Sequence, residues 1–122
     1  LWRSGPELSG PGALLYVTET CPFCAGELRA WGRLVHEGLA PPPLVMVAGK
    51  GPFPGLPAAL RSRLVFDTTG AVARALGVDR VPLTLWFDGA GQVLVRREGR
   101  ARSATILDEV RRFGALDTET EG

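Results

Sequence analysis

Residues 82–99 read PLTLWFDGAGQVLVRREG. Two apolar runs flank Asp88-Gly89-Ala90-Gly91, and a short glycine-bearing segment between β-forming runs is the pattern of a hairpin. Pro82 heads the first run, where its missing N–H is tolerated. This hairpin decides what kind of sheet is built, because the segments upstream ask for the opposite pairing. "ALLYVT", residues 13–18, and "LVMVA", residues 44–48, are apolar, β-branched runs with the length of buried strands. Between them, from residue 22 to about 38, Phe23, Leu28, Trp31, Leu34 and Val35 recur at helical spacing, with Pro22 suited to the first turn and "APPP" to end the helix. A strand-helix-strand unit implies parallel strands.

Farther along, a helical piece near residues 56–62 leads to "LVFD", residues 64–67, a brief strand. "TTGAVARALGV" is a short helix closed by Gly77. After the hairpin, residues 103–113 place Ile106, Leu107, Val110 and Phe113 on one face; Asp108 and Glu109 precede Arg111 and Arg112, an order that suits the helix dipole. The expectation is one α/β domain, residues 13–115, with a central mixed sheet flanked by helices. Residues 1–12, rich in glycine and proline, form an irregular lead-in, and residues 116–122 an acidic tail.

The chain has 122 residues, 45% of them apolar, enough for one core without disulfide staples. Fourteen basic residues against thirteen acidic, well interspersed, argue against a nucleic-acid surface. No apolar run approaches the ~20 residues a membrane span needs. A signal or membrane anchor is expected only outside this sequence, which begins at Leu1, and a monomer is the expected state.

Both cysteines fall in "TETCPFCAGEL", residues 18–28. At the start of a helix, the sulfur of Cys21 meets unpartnered backbone N–H groups and the positive end of the dipole, which favours thiolate over thiol. Cys24, one turn on, is close enough to close a disulfide. Together they form a two-electron switch in which Cys21 is the nucleophile and Cys24 resolves the mixed disulfide. A zinc site needs four ligands, and the chain adds only His36, about three turns away, so no metal is expected. A purely structural disulfide closes too small a loop to stabilise much.

Helix, link, proline, strand, Asp-Gly and strand, following a C-x-x-C, is an order that resembles thioredoxin-like proteins. More narrowly, "FDTTGAVARALGVDRVPLTLWFDGAGQVLVRREG" and "CPFCAGE" resemble the TlpA/ResA branch of thiol-disulfide oxidoreductases, and "TCPFC" its MauD-type members. The resemblance spans roughly residues 13–113. It implies a cis Pro82 facing the cysteines, with Val81 offering its backbone to an extended substrate, and Thr20, Pro22 and Phe23 completing the substrate surface. Glu27 matches the family glutamate that holds or relays a proton for the disulfide; read from the residues alone, it is equally a solvated first-turn carboxylate.

The chain also departs from the family. Thr20 stands where thioredoxins carry tryptophan, Leu83 where threonine is common after the proline, Arg29 where a kinking proline is common, and Leu15 where thioredoxins keep a buried aspartate. The implied activity is electron exchange with protein cysteine pairs, with no cofactor beyond the Cys21-Cys24 disulfide, protein dithiols or disulfides and an upstream thiol reductant as partners, and an extracytoplasmic location, the cytoplasm being the alternative. The uncharged Pro22-Phe23 pair between the cysteines points to a reductant or exchanger rather than a strong oxidant. The competing readings are a glutathione-dependent, glutaredoxin-like enzyme and a thioredoxin-fold binding protein without turnover. Trp31 and Trp86 read as core rather than ligand platforms, "RREGRAR", residues 96–102, as solvated charge, and "GKGPFPG", residues 49–55, as a loop that could carry specificity.

Overall fold

The computed structural model describes residues 12–114. The expected lead-in, including Trp2, and the acidic tail lie outside these residues except for Gly12, which opens the first strand.

Five strands form one mixed sheet: β1 (Gly12–Val17), β2 (Leu44–Ala48), β3 (Leu64–Asp67), β4 (Leu83–Phe87) and β5 (Val93–Glu98), in the spatial order β3-β2-β1-β4-β5. β1 pairs parallel with β2, and β2 with β3, whereas β4 runs antiparallel to β1 and to β5. The hairpin therefore attaches to the outer side of β1, and β1 becomes the central strand. That position explains its composition. Ala13, Leu15 and Val17 pack into one core layer, Leu14 and Tyr16 into the other, and all five are buried. A strand covered on both faces reads as a continuous apolar run rather than an alternating one.

Helix α1 (Pro22–His36) lies on the first face with Leu28, Trp31 and Leu34 turned inward, beside a 3₁₀ helix (Ala58–Arg63). Its Gly32 is fixed by close approach: a Cβ there would stand 2.7 Å from Cβ of Pro57. Helix α2 (Ala71–Leu76) covers the second face. It ends on Gly77, whose φ of +64° is left-handed and suits glycine. Arg96 from β5 donates to the carbonyls of Leu76 and Gly77 at 2.8 and 2.9 Å, satisfying acceptors at that helix end.

The hairpin turn is built by Asp88, whose carboxylate accepts the N–H groups of Ala90 and Gln92, both at 2.9 Å. Helix α3 (Ser103–Glu109) continues into a π-helical turn (Val110–Gly114). Ile106 is buried, and so is Glu109, which the sequence presented only as a charge suiting the helix dipole. Phe23 also departs from the helical pattern: at 60% exposure it is off the buried face of α1. The loop "GKGPFPG" turns inward at Phe53, which joins the core, and its Gly51–Pro52 bond is cis.

Candidate active site

β1 ends at Val17, and after residues 18–20 the chain enters α1 through Cys21, whose extended backbone (φ −88°, ψ 115°) makes it the N-cap. Its Sγ does what a serine or aspartate oxygen does at that position: it accepts the N–H of Cys24 at 3.2 Å. Cys21 is half-buried and Cys24 wholly buried; both are free thiols. Across the site, the Val81–Pro82 bond is cis, and the Cys21 thiol faces the Val81 carbonyl oxygen at 3.9 Å. Thr20, Pro22 and Phe23 are exposed around Cys21, Val81 is half-buried, and Pro82 is buried.

The two sulfurs occupy different environments. Burial, then the hydrogen bond with Cys21, push the Cys24 thiol up to about 12, and the charge of Glu27 adds to the effect. Cys24 therefore keeps its proton at neutral pH, while Cys21 has a hydrogen-bond donor and a path to solvent. An accessible sulfur held by an N–H, with a buried protonated one behind it, is an arrangement able to divide the attacking and resolving parts of an exchange.

Glu27 lies one turn beyond Cys24 with 1% of its surface exposed, so it is not a solvated first-turn carboxylate. Its Oε2 accepts from Trp31 Nε1 (3.3 Å), Thr84 Oγ1 (3.2 Å) and Arg97 Nη2 (3.2 Å), and its Oε1 from the N–H of Ala101 (3.0 Å). Three donors crowd Oε2 and one meets Oε1; with about two lone pairs on each oxygen, Oε1 has room for one more donor. Thr84 is the cross-strand neighbour of Leu15, the position where thioredoxins keep an aspartate. Here the acid reaches that part of the core from the helix.

Arg97 is the member that residue types alone did not single out. From β5 its Nε reaches Glu109 Oε2 at 2.6 Å, and its Nη2 reaches Glu109 Oε1 at 3.0 Å and Thr84 Oγ1 at 3.1 Å. Trp86 Nε1 donates to Glu109 at 3.1 Å. Burial pulls the guanidinium down, but the two carboxylates outweigh it and hold it above its ordinary value. "RREGRAR" is thus not uniformly solvated: Arg96 and Arg97 are structural. The available signal was strand alternation, which sends Arg97 to the opposite face from Arg96 and Glu98. Trp31 and Trp86 pack together, centroids 5.9 Å apart, as core rather than as a ligand platform. Among the described residues, no three or more His, Cys, Asp or Glu side chains gather as a metal site.

A mixed β3-β2-β1-β4-β5 sheet, with a C-x-x-C pair opening the helix after its central strand, is the thioredoxin-like fold. Solved structures of that fold superpose on most of the chain. A secreted Mycobacterium tuberculosis disulfide oxidoreductase homologous to E. coli DsbE matches with a TM-score of 0.73 at 15% identity, over 91% of this chain and 88% of that one. MTB dsbF, solved in mixed oxidised and reduced forms, matches with 0.66 at 22% identity, over 85% and 81%. The exposed lipoprotein thioredoxin Etrx1 of Streptococcus pneumoniae matches with 0.63 at 15% identity, over 88% and 87%. No family model and no curated protein matches the sequence.

Proposed function

We propose that the chain is a thiol-disulfide oxidoreductase acting on cysteine pairs of other proteins. The observation that carries this is the asymmetry of the two sulfurs: Cys21 is half-buried and holds the Cys24 N–H at 3.2 Å, while Cys24 is wholly buried and held protonated. The Cys21 thiolate attacks a substrate disulfide, forming a Cys21–substrate bond and releasing one substrate sulfur as thiolate. Cys24 then gives up its proton and attacks Cys21 Sγ, closing the Cys21-Cys24 disulfide and releasing the second substrate thiolate. Two electrons pass to the substrate, and an upstream thiol reductant restores the dithiol.

In this reading Glu27 takes the Cys24 proton, supported by the charge it already exerts on Cys24 and by the room left on Oε1. Val81, Pro82, Thr20, Pro22 and Phe23 form the surface that meets the substrate chain, which lies extended against the Val81 backbone. The direction of use is reduction or exchange rather than strong oxidation, since neither a charge nor an imidazole lies between the cysteines to stabilise the dithiol form. The location is extracytoplasmic, a reading supported by the secreted mycobacterial protein and the exposed streptococcal lipoprotein among the similar structures. No helix among the described residues is long and apolar enough to cross a membrane.

The test is a Cys24→Ser trap offered a protein extract under native conditions, with insulin reduction by the unaltered protein in parallel. Mixed disulfides through Cys21 with protein partners, together with insulin turnover, are expected. Capture of glutathione alone would move the reading to a glutathione-dependent enzyme. A dithiol inert toward both insulin and peptide disulfides would leave a binding protein.

A further inference from the structure

Along α1, between the helix and the segment after β5, lies an open cleft of about 220 Å³ lined by Gly26, Arg29, Arg33, Arg100, Arg102 and Ser103. Arg29 and Arg33 are successive residues of one helical face. None of the four guanidinium groups forms an ion pair or side-chain hydrogen bond with any described residue. All four arginines are exposed, so their guanidinium groups stand open to a partner from outside, whereas the buried carboxylates Glu27 and Glu109 are already held by Arg97.

The cleft is tied to the reactive end of the molecule. The Gly99 N–H donates to the Pro82 carbonyl at 2.9 Å, so Arg100 follows directly on a residue anchored at the proline that faces Cys21. The Arg100 guanidinium lies over Gly26, two residues after Cys24. A Cβ on Gly26 would stand 3.2 Å from its central carbon, so the glycine leaves room for the group to lie against the helix. Ala101 is pinned by its hydrogen bond to Glu27. Arg29 lies eight residues beyond Cys21, about 12 Å along the helix axis. An extended chain covers that distance in about four residues.

We propose that this cleft is a docking site for acidic side chains of the substrate polypeptide, carried about four residues from the cysteine that Cys21 attacks. The inference rests on the oxidoreductase reading and names the substrate class for it. Four guanidinium groups without a partner among the described residues offer forked donors to carboxylates. Phe23, exposed in the first turn of the same helix, is available to the apolar part of the same partner. Docking steers encounter and sets register; the chemistry remains exchange, with a Cys21–peptide sulfur bond formed, the peptide disulfide broken and its second sulfur leaving as thiolate.

The test compares disulfide-bonded peptides carrying three glutamates four to six residues from the cysteine with glutamine and lysine counterparts. At low salt the glutamate peptide should react with Cys21 roughly ten-fold faster than the glutamine peptide, the lysine peptide slower still, and the advantage should shrink to within about two-fold at 0.5 M NaCl. Arg29→Glu/Arg33→Glu should abolish or invert the preference, and Arg100→Ser should weaken it. Uncharged hydroxyethyl disulfide should react at unchanged rate in all three proteins. Equal rates for glutamate and glutamine peptides, or a preference that survives the charge reversal, would overturn the proposal. Binding of fluorescent linear peptides to a Cys21→Ser/Cys24→Ser protein gives a readout independent of exchange. If no disulfide reacts at all, the oxidoreductase reading falls, and the docking site then stands or falls on whether glutamate peptides bind this protein and lose binding on charge reversal.

Discussion

Arg97 Nη2 lies 3.2 Å from Oε2 of the buried Glu27. The same guanidinium holds Glu109 at 2.6 Å, so a cation on β5 joins carboxylates carried by α1 and α3. The helix bearing the cysteines is thereby fastened to the hairpin by charge as well as by packing.

Removing the cation leaves both acids without it in the interior. Breaking a buried pair from one side costs about 3–5 kcal/mol, and Arg97→Met is expected to lower stability by about that amount in urea unfolding. In the Glu27→Gln background the same substitution should cost clearly less, because the pair is already broken. Additive losses in the double variant would refute the coupling.

Cys24 is raised to about 12 by burial first, then by its hydrogen bond with Cys21 and the nearby charge of Glu27. In a Cys21→Ser protein, Cys24 should resist alkylation throughout the neutral range and gain reactivity only in strong alkali. Glu27→Gln removes a negative charge and should lower the Cys24 titration. A titration that stays in place or rises, followed by thiolate absorbance at 240 nm, is the contrary result.

Tyr16 donates to Asp67 at 2.6 Å, joining β1 to the end of β3, and the N–H groups of Val72 and Ala73 complete the site. Burial pushes the Asp67 carboxyl up, but the hydrogen bonds from Tyr16, Ala73 and Val72, with Arg74 nearby, outweigh it and hold it below its ordinary value. A depressed folded-state value contributes stability above the unfolded value that is lost as pH falls through the folded one. Tyr16→Phe should therefore cost about 1–3 kcal/mol near neutrality and flatten the loss of stability below about pH 4. An unaltered acid limb in pH-dependent unfolding would argue against the bond.

Gly32 gives a steric test. Alanine in a helix interior is favoured by about 1 kcal/mol over glycine, yet here the added methyl would stand 2.7 Å from Pro57 Cβ and 3.1 Å from its Cγ. Overpacking of this kind costs about 1–3 kcal/mol, and the proline ring cannot rotate away. Gly32→Ala should be destabilising by about 1 kcal/mol; a rise in melting temperature would mean that the 3₁₀ helix yields easily.

Strand and helix positions were legible because burial on one or two faces leaves a periodic record: β2, β3 and the start of α1 fall where apolar spacing and proline place them. The cysteines were legible for a similar reason, since a C-x-x-C at a helix start is a local pattern. The charged network was not, because its members come from positions 27, 84, 97 and 109 and each is ordinary in its own surroundings. Glu109 among Asp108, Arg111 and Arg112 looks like dipole complementarity. Only the fold brings it to Arg97. Helical spacing counted Phe23 among the apolar positions of α1, yet it is exposed, because spacing counts apolar residues without recording which of them a neighbouring element covers.

Trp31 and Trp86 each give their indole N–H to one of the two acids that share Arg97. Two of the chain's three tryptophans, packed against each other at 5.9 Å, thus each report on one carboxylate of the buried charge network, Trp31 on the Glu27 that lies one turn beyond Cys24. Indole emission responds to nearby charge and to loss of a hydrogen bond, so a proton arriving on Glu27 as the dithiol is oxidised would register as a change in native fluorescence. If Glu27 takes the Cys24 proton as proposed, stopped-flow tryptophan emission should follow oxidation of the cysteines without a label, and Glu27→Gln should remove that change.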